Sequence, residues 1–111
     1  MSTTLPVVAH EGGHAPDMLA RVESAIVSGD EVVVVLTVTG FGGPLVLIGM
    51  SAAGAMAPIM DPVYVNFAQD VQVQTALRFV GPPPGIFTLN LDFGPVGQGA
   101  VTVIPTVGAS N

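Results

Sequence analysis

Glycine and proline divide this chain into short segments that are rich in β-branched residues. The 111 residues include 14 glycines and ten prolines, and the runs between them have the length of strands. None of these runs shows the 3.6-residue period of an amphipathic helix. Turn signals recur about every 8–12 residues, which is typical of a β-sandwich. The sequence therefore predicts an all-β fold.

The pattern of apolar residues indicates where the strands lie. Residues 31–39 are almost continuously β-branched, which favours a buried central strand. Residues 71–79 and 87–93 alternate between apolar and polar positions, so we expect Phe87, Leu89, Leu91 and Phe93 to point inward. We predict an antiparallel sandwich of about seven strands, at residues 19–27, 31–39, 45–50, 63–67, 71–79, 87–93 and 100–104.

The ends of the chain fit no strand pattern. Residues 1–17 are polar and contain glycine and proline, so we predict a flexible N-terminal tail. A chain of this length buries one core, so residues 18–107 are predicted to form a single domain, followed by a C-terminal tail at 108–111. The start MSTTLPVV lacks the basic and apolar regions of a signal peptide. A periplasmic or otherwise extracytoplasmic location is expected if such a signal has been removed.

The charge of the chain excludes several classes of partner. The formal net charge is −6, and arginine at positions 21 and 78 provides both cations besides histidine. Binding to a phosphate backbone requires a set of basic side chains, so we predict no nucleic-acid partner. No apolar run reaches the length of a membrane-spanning helix, so we predict no membrane insertion. The chain has no cysteine, which excludes disulfides and thiolate metal sites.

The segment His10-Glu-Gly-Gly-His14 matches the HExxH pattern of zinc proteases. That chemistry requires a helix, because only a helix points both histidines at one ion. The two central glycines cost about 2 kcal/mol of helix propensity, and Pro16 disfavours helical geometry just beyond. No later histidine is present to complete a zinc site. With both histidines in the tail, no catalytic triad is predicted inside the domain, and we predict that the chain is not an enzyme.

Two interpretations of the histidines remain open. They are either incidental residues of a solvated tail, or ligands that capture a metal together with Met18. Imidazole and thioether groups suit copper, and thioethers favour its cuprous state. Three further methionines, Met50, Met56 and Met60, cluster near one loop. They either fill gaps in the core or offer thioethers to the same copper ion.

The order of segments resembles the periplasmic copper chaperones of the PCu(A)C family. A histidine-containing tail leads into Leu19-Ala-Arg21, and the segments VVVVLTVTG and PLVLIGMSAAGA follow. The chain then ends in GIFTLNLDF and AVTVIP. The resemblance covers roughly residues 10–105 and implies a cupredoxin-like or Ig-like sandwich that binds copper. The His-x-Met pair of that family is missing here.

These observations support two hypotheses about function. The first is a copper-binding or copper-delivery protein with a site formed from His10, His14, Met18, Met50, Met56 and Met60, which exchanges copper with a donor or acceptor protein. The second is a binding or assembly module without metal. Its basis is the low content of charged residues, which is only 9%, because strands without charges at their edges favour pairing between copies. This hypothesis predicts a homo-oligomer.

Overall fold

The described part of the chain is built almost entirely of β-strands, as predicted. The structure is a computed structural model that describes residues 7–8, 18–42 and 44–107. Within those residues the only helical element is a 3₁₀ turn at Gly94–Val96. The strands are β1 Val7–Val8, β2 Met18–Ser28, β3 Glu31–Gly40, β4 Leu45–Leu47, β5 Gly49–Ser51, β6 Ala55–Met56, β7 Val63–Val65, β8 Asp70–Phe79, β9 Phe87–Asp92, β10 Gln98–Val103 and β11 Thr106–Val107.

The first sheet has the order β1-β2-β3-β8-β6 and is antiparallel along that path. Strand β3 lies at its centre, paired along its length with β2 and β8, which confirms the prediction of a central strand. Its inward residues are buried, whereas Val33 and Val35 on the outer face are partly exposed. Strand β11 pairs in parallel with the far half of β2. The outer edge of β2 is therefore covered by β1 near one end and by β11 near the other.

The second layer contains the ladders β10-β9-β5 and β4-β7, joined by a kink at Ile48. The Ile48 N–H donates to the Asp92 carbonyl at 2.8 Å, while Gly49 is the register partner of the same residue. Two residues therefore oppose one, which is a β-bulge. The bulge shifts the alternation by one residue, so Leu45 and Leu47 before it and Met50 after it are all buried.

Seven strands form the sandwich when β4 and β5 are counted as one, and all seven lie at the predicted places. The first, second and fifth form one sheet, and the third, fourth, sixth and seventh form the other. In a constant-type immunoglobulin sandwich the fourth strand joins the first, second and fifth, whereas here it pairs with the third. The structure adds three two-residue strands, β1, β6 and β11, which are too short for any sequence pattern to indicate. Strand β1 lies within the predicted tail at 1–17, and the remainder of that segment and residues 108–111 lie outside the described residues.

The core lies between the two layers and follows the predicted facing of β9. Phe87, Leu89 and Leu91 of that strand are buried, and so is Phe93 just beyond it. Across the interior, the ring of Phe87 meets the ring of Phe79 edge to face, with centroids 5.1 Å apart. Such a pair adds about 0.5–1.5 kcal/mol beyond the burial of area, so it stabilises the contact between the layers.

A second bulge, at Glu23 in β2, organises a small polar network on the outer face of the first sheet. Val22 and Ser24 pair with consecutive residues of β3, so Glu23 is the extra residue. Its carboxylate accepts a hydrogen bond from Arg21 Nε at 3.0 Å and one from Thr37 Oγ1 at 2.9 Å. Both donors favour the charged form, and the pKa of Glu23 lies below its ordinary value, chiefly because of Arg21.

This network predicts a pH-dependent effect of Glu23→Gln. Because folding lowers the pKa of Glu23, its contribution to stability is present above the ordinary glutamate pKa and is lost as pH falls through the lowered value. The melting temperatures of the wild type and the variant should therefore differ near about pH 7 and converge towards about pH 3. Thermal unfolding followed by circular dichroism checks this. A difference that is the same at both pH values would contradict the network.

Candidate functional site

The structure places the predicted metal ligands in different environments. His10 and His14 lie outside the described residues, so that part of the copper hypothesis stays a prediction. Met18 begins β2 with a side chain only 1% exposed, and Met50 is also buried. Met60 is partly buried against the core, whereas Met56 is 63% exposed. Of the four methionines, Met56 thus presents its thioether most openly to solvent.

Met18 and Met56 lie at opposite ends of the first sheet. Met18 is the register partner of Gly40, the last residue of β3. Met56 pairs with Arg78, which in turn pairs with Glu31, the first residue of β3. Nine residue steps along a strand span roughly 30 Å, so these two thioethers do not share an ion. A copper site in this chain can use one of the two methionines but not both.

The described residues contain no group of three histidine, cysteine, aspartate or glutamate side chains placed to hold a metal ion. Within the same residues, no helix has the length and apolar character needed to cross a membrane. Copper binding, the resemblance to the copper chaperones and an extracytoplasmic location all stay predictions.

A shallow groove of about 480 Å³ crosses the second layer near β5 and β9. Its polar lining is Ser51, Asn90, Asp92 and Gln98, and the rest of its lining is apolar. The single carboxylate, that of Asp92, already accepts the Gly94 N–H at 2.8 Å. The groove lining includes no histidine, cysteine, lysine or second carboxylate, so it offers neither a general acid–base pair nor a nucleophile activated by a base.

Half of the aromatic side chains of this protein are exposed at one end of the sandwich. The chain has five phenylalanines and one tyrosine. Phe41, Tyr64 and Phe67 are 51%, 69% and 67% exposed, while the other three are buried in the core. Phe41 follows the end of β3, and Phe67 forms a bridge with Gly40 beside it. We call the surface formed by Phe41, Tyr64 and Phe67 the aromatic end.

A tight turn after β7 holds Phe67 on this surface. The Ala68 N–H donates to the Gly40 carbonyl at 2.7 Å, which ties the turn to the end of β3. The Asn66 N–H donates to Gln69 Oε1, and the Gln69 N–H donates to the Asn66 carbonyl, both at 3.0 Å. Ala68 adopts a left-handed conformation with φ of 60°, which an alanine rarely adopts. These four hydrogen-bonded residues fix the segment that carries Phe67.

Aliphatic side chains continue the aromatic end onto the outer face of the second layer. Tyr64 in β7 pairs directly with Val46 in β4, and both side chains point away from the core. Ile48 is exposed at the kink, and its Cδ1 lies 3.6 Å from the point where a side chain on Gly94 would begin. Exposed apolar side chains that lie close together are typical of sites of protein contact.

Sequence reasoning did not identify the aromatic end. Its residues lie in a turn, in a three-residue strand and in a second turn, where alternation gives no information about facing. One signal was present in the sequence. Phe41 precedes two glycines, and Phe67 lies in the segment Asn66-Phe67-Ala68-Gln69, which has an amide side chain at each end. An aromatic residue in such a turn-forming sequence does not belong to a strand that would direct its side chain into the core.

No family model, curated protein or solved structure matches this chain.

Proposed function

We propose that this protein is a non-enzymatic β-sandwich module that acts by protein assembly, and that it associates with further copies of itself. The observation that carries the proposal is the aromatic end. Tyrosine and phenylalanine are enriched in the buried centres of protein interfaces, and lysine, glutamate and aspartate are depleted there. Phe41, Tyr64 and Phe67 have that composition, and the nearest acidic residues along the chain, Asp61 and Asp70, are each three positions away.

The energetics of exposure support the same function. Each of these side chains has more than half of its surface in water. Complete burial of a fully exposed side chain of this size stabilises by about 1.5–3 kcal/mol, which sets the upper bound for each residue. The fold does not require them at the surface, since Phe79, Phe87 and Phe93 fill the core. The groove beside β5 and β9 provides no catalytic groups, which leaves surface contact as the chemistry that the described residues support best.

The test is the mass of the full chain in solution. Sedimentation velocity over a wide range of concentrations should show species heavier than a monomer. The double variant Phe41→Ser/Phe67→Ser should weaken this association on the order of 10–100-fold, because two central aromatic contacts are lost. Its thermal stability should stay within about 0.5 kcal/mol of the wild type, because both residues are exposed.

The matched control removes apolar surface at the opposite end of the sandwich. Val80 and Ile86 are also exposed, and they lie beyond the end of β8 and before the start of β9. The variant Val80→Ser/Ile86→Ser should associate as the wild type does. A wild-type chain that stays monomeric at every concentration would overturn the proposal, and equal losses in both double variants would show that the aromatic end has no special role.

A further inference from the structure

Strand β10 presents an edge that differs from the other edges of the sandwich. Within the described part of the chain it is hydrogen-bonded to β9 and to no other strand, and strands β1 and β2 of the first sheet lie close to it without pairing. Its six residues, Gln98–Val103, include neither a charged residue nor a proline. Edge strands of natural proteins are usually protected from pairing by such residues. The other edges are protected from pairing. The outer edge of β2 is covered by β1 and β11, β7 has only three residues, and β8 carries the charged residues Asp70 and Arg78.

The hydrogen bond that closes the β9–β10 hairpin shows which backbone groups face outward. The Phe93 N–H donates to the Gly97 carbonyl at 3.0 Å, so this is a hydrogen-bonded pair. Hydrogen-bonded and non-hydrogen-bonded pairs alternate along an antiparallel ladder. The backbone groups of Gln98, Ala100 and Thr102 therefore point away from β9. The side chains of Gln98 and Thr102 are exposed, and that of Ala100 is partly exposed.

We infer that two copies of this chain pair through β10, antiparallel, about a two-fold axis at Ala100. Gln98 of one copy then lies opposite Thr102 of the other, and Ala100 lies opposite Ala100. The three pairs form about six backbone hydrogen bonds and join the second layers of the two copies into one continuous sheet. The inference rests on the proposed function, because it names a second surface for self-association, separate from the aromatic end.

Three features of the strand favour this arrangement. About a two-fold axis, every contact of one residue with another is repeated with the two copies exchanged. Positions 98 and 102 are equally far from 100, so an axis at Ala100 pairs Gln98 with Thr102 in both directions. Alanine is the smallest side chain of the three, so the two copies approach closely at the axis. Gln98 and Thr102 are neutral, so neither meets a like charge across the new ladder, although the net charge of each chain is −6.

The test places charges at the axis in the Phe41→Ser/Phe67→Ser background, where the contact through the aromatic end is weakened and the β10 contact is intact. This background chain should sediment as a dimer. Adding Ala100→Glu or Ala100→Lys should give monomers, because like charges directly opposite each other destabilise a strand pair. An equimolar mixture of the two should dimerise again. The matched control is Asn90→Glu, the same charge on the residue opposite Ala100 in β9, and it should stay dimeric.

The outcomes separate this inference from the proposed function. If the wild type associates and the background chain is monomeric, pairing through β10 is wrong while the aromatic end stands. If the Ala100→Glu and Asn90→Glu variants behave alike, or if mixing opposite charges restores nothing, the two-fold pairing is also wrong. If Ala100→Glu alone abolishes association of the wild type, pairing through β10 is supported and the role of the aromatic end is overturned.

Discussion

Replacing Leu89 by alanine is expected to lower the free energy of unfolding by about 2–5 kcal/mol. Leu89 lies in the middle of β9, which is paired on both sides, and its side chain is fully buried. The loss combines the removal of buried methyl groups with a cavity that neighbouring strands fill only in part. Leu91 has the same environment and the same expected loss. Urea denaturation of the purified variants measures it.

The matched control is Asn90→Ala, between the two leucines. Asn90 is exposed on the outer face of the same strand, so its replacement should change the free energy of unfolding by no more than about 0.5 kcal/mol. The pair of variants thus tests which side chains of β9 point into the core, and not whether β9 is a strand. Equal losses at Leu89 and Asn90 would mean that both faces of this strand are buried.

Long, regular strands could be predicted from the sequence because their pattern has many repeats. In β9 and the residue that follows it, four successive inward positions are apolar and the positions between them are polar, so facing and burial followed directly. Strand β3 was predicted to be central because polar residues almost never interrupt it. Both predictions depend on local composition alone, which the tertiary structure did not override.

Irregularities within the strands could not be predicted. The bulges at Glu23 and Ile48 each insert one residue, and the apolar pattern shifts by one residue across them. A shift of this kind in a sequence looks the same as an imperfect strand, since the partner residue that reveals the bulge lies elsewhere in the chain.

The assignment of methionines shows the same limit for a candidate site. A methionine is suited equally to a core gap and to a soft metal ion, so its position in the sequence does not distinguish the two. The structure distinguishes them by burial: Met18 and Met50 fill the core, whereas Met56 is exposed in a two-residue strand. The copper hypothesis therefore combined two methionines, Met18 and Met56, that the fold places at opposite ends of the first sheet.

The second large prediction compares Met18, the most buried of the four methionines in the structure, with Met56, the most exposed. Met18→Ala is expected to destabilise the protein by about 2–5 kcal/mol, because a fully buried side chain is truncated at the start of β2. Met56→Ala removes the same atoms from an exposed position and should change stability by no more than about 0.5 kcal/mol. Denaturant unfolding of both variants in a buffer without metal measures the difference. A large loss at Met56, or none at Met18, would reverse the assignment of Met18 to the core and of Met56 to the surface.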